Sequence, residues 1–324
     1  MLSFIYKENV LMQTSCFAVK MFCSSSSHLI PAVVPSQREL HFWYVVPDEV
    51  KDTSLLKQYL NVLSPCEKEN VLSMRGDYLQ KRALLARTLA RTTLAKYTNS
   101  LVSPSLLKFR KNTFGKPEVD WQCDKNWDPP PLHFNISHTS SLIACGVTVD
   151  VPIGIDVEEK QRKTKNNLSS LAKRYFTPDE VEYLHAISDP EIQRQEFIKL
   201  WTLKEAYVKA LGRGFSAAPF KTFTIRFRSN SRSSFIMRGD SNSKCQASEI
   251  VVEPLDGSKH LTTNWKFTLF ELANSHYAAT CVQNNILEGE KVDAPILKVW
   301  KTLPLVKDEF VSETDSVRAI AGFT

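Results

Sequence analysis

The stretch Trp201–Phe215 reads WTLKEAYVKALGRGF. At about 100° per residue, Leu203, Tyr207 and Ala210 gather on one side of a helix and would pack inward. Trp201, Glu205 and Lys209 follow one another at single-turn spacing on a different side. Gly212 and Gly214 then stop the helix. A carboxylate and an ammonium one turn apart also describe an ordinary surface ion pair, which contributes about 0.3 kcal/mol. Periodicity does not separate that pair from an acid–base pair, so the surrounding sequence has to.

Upstream, Asp189-Pro190 starts the helix that carries this stretch, and Thr177-Pro178-Asp179-Glu180 starts the one before it. There Thr177 caps, Pro178 takes the first helical position, and Glu180 closes a capping box. VPIGIDVEE (Val151–Glu159) reads as a strand. Side chains alternate along it, so Ile153, Ile155 and Val157 share one face. Asp156 and Glu158 share the other, about 7 Å apart along the strand and able to converge on one ion. Gly154 lies on their face and leaves room. Hard carboxylate oxygens suit Mg²⁺, and a solvated acidic strand end is the alternative reading.

LHFNISH and SLIACGVTV predict a hairpin with a polar corner at Ser137–Ser141. Ser137 and His138 could meet an anion there, or be structural. FGKP (Phe114–Pro117) reads as a turn. A long helix spans roughly Ser73–Tyr97, with Leu85, Leu89 and Ala90 on its apolar stripe. Lys81, Arg82, Arg87 and Arg91 lie off that stripe, as on a solvated face. LHFWYVV (Leu40–Val46), WKFTLFEL and HYAATCV are strand-like. SHTSSLIACGV in the first half faintly echoes SHYAATCV in the second, which suggests a duplicated unit.

The 324 residues carry 43% hydrophobic and 23% charged side chains, as expected of a soluble globular chain, with a net charge of +6. That charge suits an anionic ligand or acidic partner. No zinc-finger, RNP or KH signature accompanies it, so nucleic acid is not expected. No apolar run is long enough to cross a bilayer. Seven irregularly spaced cysteines without a CxxC pair argue against a disulfide framework or zinc site and for a reducing compartment. Residues 1–38 form a disordered tail or a targeting segment. The tail is serine-rich and acid-poor but lacks arginine up to residue 36. A cytosolic location is expected, with a mitochondrial or plastid one as the alternative. Residues 229–248, rich in Ser, Asn and Arg, read as a mobile loop.

In order, FGKP, FNISHT, GIDVEE and FIKLWTLKEAYVKALGRGF resemble the 4′-phosphopantetheinyl transferase superfamily, of the large two-half type. The resemblance runs from about Leu40 to Val282. It implies an α+β fold of two similar halves related by a pseudo-twofold, each a long helix on a small antiparallel sheet. The halves would be 39–152 and 153–285, with an extension at 286–324 and coenzyme A between them. It implies Mg²⁺-dependent transfer of the phosphopantetheine arm of coenzyme A to a serine of an apo acyl or peptidyl carrier protein, by a monomer, with release of 3′,5′-ADP. Carried over by motif, Asp156, Glu158 and Glu205 are the metal ligands. Glu205 is also the base for the carrier serine, and Lys209 serves the leaving phosphate. Lys204 adds charge nearby. Ser137, His138, Lys116 and Arg82 contact coenzyme A, with Lys81 or Arg87 as substitutes for Arg82. A catalytically silent relative that binds coenzyme A or a carrier protein is the competing expectation.

Overall fold

The computed structural model describes residues 29–121, 127–163, 167–214, 218–228, 249–255, 265–283 and 295–322. Most of the expected tail and the whole 229–248 loop lie outside them. In chain order the elements are Glu39–Val45 (β1), Thr53–Val62 (α1), Pro65–Leu72 (α2), Asp77–Lys96 (α3), Lys108–Lys111 (β2), Pro117–Asp120 (β3), Leu132–His138 (β4), Ile143–Val149 (β5) and Ile153–Glu159 (β6). They continue with Leu168–Tyr175 (α4), Pro178–Ala186 (α5), Pro190–Leu211 (α6), Phe223–Arg228 (β7), Glu249–Pro254 (β8), Trp265–Leu272 (β9), His276–Gln283 (β10), Ile296–Leu303 (β11), Lys307–Phe310 (β12) and Val317–Ala319 (β13).

Two sheets pack face to face. One runs β12-β11-β1-β5-β4, the other β13-β9-β10-β6. Phe42 and Tyr44 of β1, Ile153, Ile155 and Val157 of β6, and Phe270 of β9 meet in the core between them. Outside the first sheet, α3 buries Leu85, Leu89 and Leu94 against Trp43, Phe134 and Val147. Outside the second, α6 buries Leu203, Tyr207 and Ala210 against Leu269, Ala279 and Cys281. The molecule is thus a mixed α and β fold.

Three expectations need correction. The long helix begins at Asp77, because Gly76 breaks the chain with φ 92°; a separate α2 precedes it, started by a Ser64–Glu67 capping box. Arg91 is 2% exposed rather than solvated. It pairs with Glu67 and donates to the carbonyls of Pro104 and Leu107. Finally, the first sheet is not purely antiparallel. Strand β11, from the stretch beyond residue 285, pairs parallel with β1.

Candidate active site

Strands β4 and β6 are the outermost strands of their own sheets and lie side by side. An edge strand exposes backbone groups that need partners. Side chains of β4 supply them. The amide of Ile155 donates to Asn135 Oδ1 (2.9 Å) and that of Val157 to Ser137 Oγ (3.3 Å). This substitute for a ladder brings Ser137 beside Asp156, and the Ser137 hydroxyl donates to Asp156 Oδ1 at 2.8 Å.

The other wall is α6. A Cβ on Gly154 would lie 2.0 Å from the Ala206 carbonyl oxygen and 2.2 Å from the Ala210 nitrogen. The space left by Gly154 is therefore filled by helix backbone, not open as the sequence suggested. That close approach places Lys209 over β6, where its Nζ donates to Asp156 Oδ1 (2.6 Å) and Ser137 Oγ (3.1 Å). Burial pulls the Lys209 ammonium down, but Asp156 and Glu205 outweigh it and hold its pKa above the usual lysine value.

Glu158 and Glu205 complete the acid group. Burial, then the charge of Asp156, pushes the Glu158 carboxyl up to about 8, against Arg162 and Lys209. Glu205 is raised by burial and by Asp156, with Lys209 and Arg162 opposing. Arg162 Nη1 pairs with Glu158 Oε1, and its guanidinium lies over the Trp201 ring, 5.5 Å from the centroid. Trp201 is itself fixed among Tyr175, Phe176, Phe197 and Phe220.

Among the described residues, no three acid, imidazole or thiolate groups are gathered as a ready metal cage. Two of the acids are instead paired with cations, Asp156 with Lys209 and Glu158 with Arg162. The donor set nevertheless fits a hard divalent cation. It offers carboxylate oxygens, and the buried Asp156 Oδ2 has no hydrogen-bond partner.

The remaining expected residues divide. Arg82 Nη2 donates to the Thr139 carbonyl, its Nε is buried without a partner, and its guanidinium lies 5.2 Å from the Tyr78 ring centroid. His138, at the end of β4, has its pKa lowered by desolvation and by the charges of Arg82 and Lys209, with its own backbone hydrogen bond and Asp156 opposing. Lys116 is used differently from expectation. Its ammonium donates to the carbonyls of Ile153 (2.7 Å) and Lys209 (2.8 Å), tying the β2–β3 turn to the start of β6 and the last turn of α6. Ser137 likewise holds Asp156 and Lys209 rather than pointing free. Lys204 is a correction outright. It is 0% exposed, pairs with Glu180 at 2.8 Å and donates to the carbonyls of Phe220 and Phe223. It faces the core on the far side of α6 from the acids.

Sequence reasoning missed Asn135, Asn112 and Arg162. Asn135 stands two residues before Ser137, so the strand alternation already placed both on one face. Asn112 precedes the glycine turn, accepts from the Phe114 and Lys116 amides, and donates to the Gly212 carbonyl. Arg162 lies four residues after Glu158 in a stretch with no regular structure to predict.

A family model described as the 4′-phosphopantetheinyl transferase superfamily matches residues 152–281, which include Asp156, Glu158, Glu205 and Lys209. The 4′-phosphopantetheinyl transferase Sfp of Bacillus subtilis is 30% identical over 198 residues, 61% of this chain and 81% of that protein. The chain belongs to the 4′-phosphopantetheinyl transferase superfamily. Two further members of the superfamily extend the match. HetI of Nostoc sp. is 33% identical over 55% of this chain and 70% of its own length. A phosphopantetheinyl transferase of Thraustochytrium sp. is 28% identical over 75% and 77%. The superfamily model begins at β6, so the β4 corner, the β2–β3 turn and α3 lie outside the stretch it matches.

Proposed function

We propose that this transferase moves the 4′-phosphopantetheine arm of coenzyme A onto a serine of an apo carrier protein. The serine oxygen bonds to the β-phosphorus, the bridging P–O bond breaks, and 3′,5′-ADP leaves. The observation that carries the reading is Glu205 and Lys209 beside Asp156 and Glu158 where α6 crosses β6. Burial raises the Glu205 carboxyl above the usual carboxylate range, which makes it a stronger base for the serine proton. Lys209, held charged by Asp156 and Glu205, supplies positive charge to the departing phosphate. Ser137 keeps Asp156 and Lys209 in register. Arg82 and His138 bind the coenzyme phosphates at the end of β4.

Asp156, Glu158 and Glu205 would hold Mg²⁺, which when bound supplies charge to the diphosphate. Lys209 and Arg162 neutralise these acids in the conformation described. The long helices α3 and α6, each on the outer face of one sheet, support a pseudo-twofold pair of halves with the coenzyme bound between them.

The test is the intact mass of an apo carrier protein after incubation with the chain, coenzyme A and Mg²⁺. A gain of one phosphopantetheine arm is expected. Binding of coenzyme A with no gain on several carriers would favour a silent relative, a reading against which the intact set Asp156, Glu158, Glu205 and Lys209 stands.

A further inference from the structure

The two faintly similar stretches, SHTSS (137–141) and SH (275–276), meet in space. His276 opens β10 opposite Glu159 of β6 and is 3% exposed. Its Nε2 lies 3.1 Å from Thr139 Oγ1 and 3.0 Å from Ser141 Oγ, and its Nδ1 2.9 Å from Ser275 Oγ. Ser141 Oγ also reaches Glu159 Oε1 at 2.7 Å, and Ser140 Oγ bonds the same oxygen. Within the corner, Thr139 Oγ1 accepts from the amides of Ser141 and Leu142. This network, centred on the buried His276 and Thr139 and otherwise half-buried or exposed, ties the β4–β5 corner of one sheet to the strand ends of the other. Such networks add less to stability than an apolar core and more to fixing one geometry.

What the corner holds is specific. Its Thr139 carbonyl accepts from Arg82, and its Ser140 carbonyl accepts from the Tyr78 hydroxyl. His138 immediately precedes it. The acids and Lys209 stand on β6 and α6 instead.

We propose that His276, acting through Ser141 and Thr139, is a positioning residue for the corner that binds the coenzyme phosphates. This rests on the transferase reading above. Loss of the imidazole loosens Arg82 and His138 together and leaves Glu205 and Lys209 in place. The defect therefore falls on coenzyme binding rather than on the chemical step.

The experiment uses the full chain with His276→Ala, His276→Gln and Ser141→Ala. Coenzyme A affinity is read by calorimetry, and kcat and KM for coenzyme A by carrier mass gain. For His276→Ala, Kd and KM for coenzyme A rise about tenfold while kcat stays within about twofold, as expected when hydrogen bonds that orient a ligand contact are lost. His276→Gln, which can present an amide to the same hydroxyls, recovers most of that loss. Ser141→Ala keeps the ring and rises about threefold, and it carries the test if His276→Ala does not fold. Unchanged coenzyme affinity in folded His276→Ala or Ser141→Ala overturns the proposal alone, provided the wild type transfers the arm. Equal losses in kcat and in affinity, unrelieved by glutamine, also overturn it. A wild type that neither binds coenzyme A nor modifies a carrier overturns it together with the transferase reading.

Discussion

At the scale of single residues, the site is a balance of buried charge. Glu205 and Glu158 are disfavoured as carboxylates by burial and by Asp156, and Lys209 and Arg162 offset that penalty. Glu205→Gln removes the base while keeping the shape. Transfer should fall by at least about 10²-fold, with the melting temperature unchanged or raised because a buried acid is gone. Carrier mass gain and a thermal melt on the same preparation check this; wild-type turnover would remove Glu205 from the mechanism. Lys209→Ala should lower kcat more than it raises KM for coenzyme A. Steady-state kinetics at varied coenzyme A decide that, and a change confined to KM would contradict the leaving-group role.

At the scale of elements, the site exists because α6 lies unusually close to β6. Gly154→Ala drives a methyl into the Ala206 and Ala210 backbone, which cannot move like a side-chain tip. A loss of about 3 kcal/mol is expected in urea unfolding, with activity lost as well because Lys209 lifts off Asp156. The opposite side of the same helix is anchored by Lys204 and Glu180. There Glu180 closes the Thr177 capping box, accepts from the Ile225 amide and pairs with the lysine. Lys204→Ala leaves that carboxylate buried without its cation and should cost about 3 to 5 kcal/mol. The KM for coenzyme A of the folded fraction should stay as in wild type; a selective rise in KM would restore Lys204 to the coenzyme site. Both α6 and β6 were legible in sequence, as were the capping box that starts α5 and the glycine stop at Gly212. The roles of Lys204 and Gly154 were not, since periodicity sorts residues by face and does not say how near the next backbone comes.

For the whole molecule, one contribution to the pH dependence of stability comes from His41, outside the residues assigned to the site. His41 on β1 is 4% exposed, contacts the Tyr97 hydroxyl at 2.9 Å and has its pKa lowered by burial to about 4, with Glu39 opposing. A base depressed in the folded state binds its proton more readily when unfolded. Its contribution is therefore intact above about 6.5 and is lost as pH falls towards 4. The loss amounts to at most about 3 kcal/mol. His41→Phe should flatten the fall in stability between pH 6.5 and 4, measured by denaturant melts at a series of pH values; an unaltered slope would assign the acid sensitivity to other groups.

The amino-acid order alone determined the long α6 with its cap and stop, the alternation that puts Asp156 and Glu158 on one face of β6, and the superfamily. Those features are local: helix and strand periods, caps and short motifs depend on neighbours within a few residues. Only the tertiary structure decided that β11 completes the first sheet beside β1, and that Asn135 and Ser137 stand in for β6's missing ladder. It alone decided that Lys116 braces α6, that Lys204 belongs to the core, and that the two SH stretches touch. Each of those outcomes joins residues distant in the chain, with partners chosen by unmet backbone groups, buried charges and the space left by one glycine.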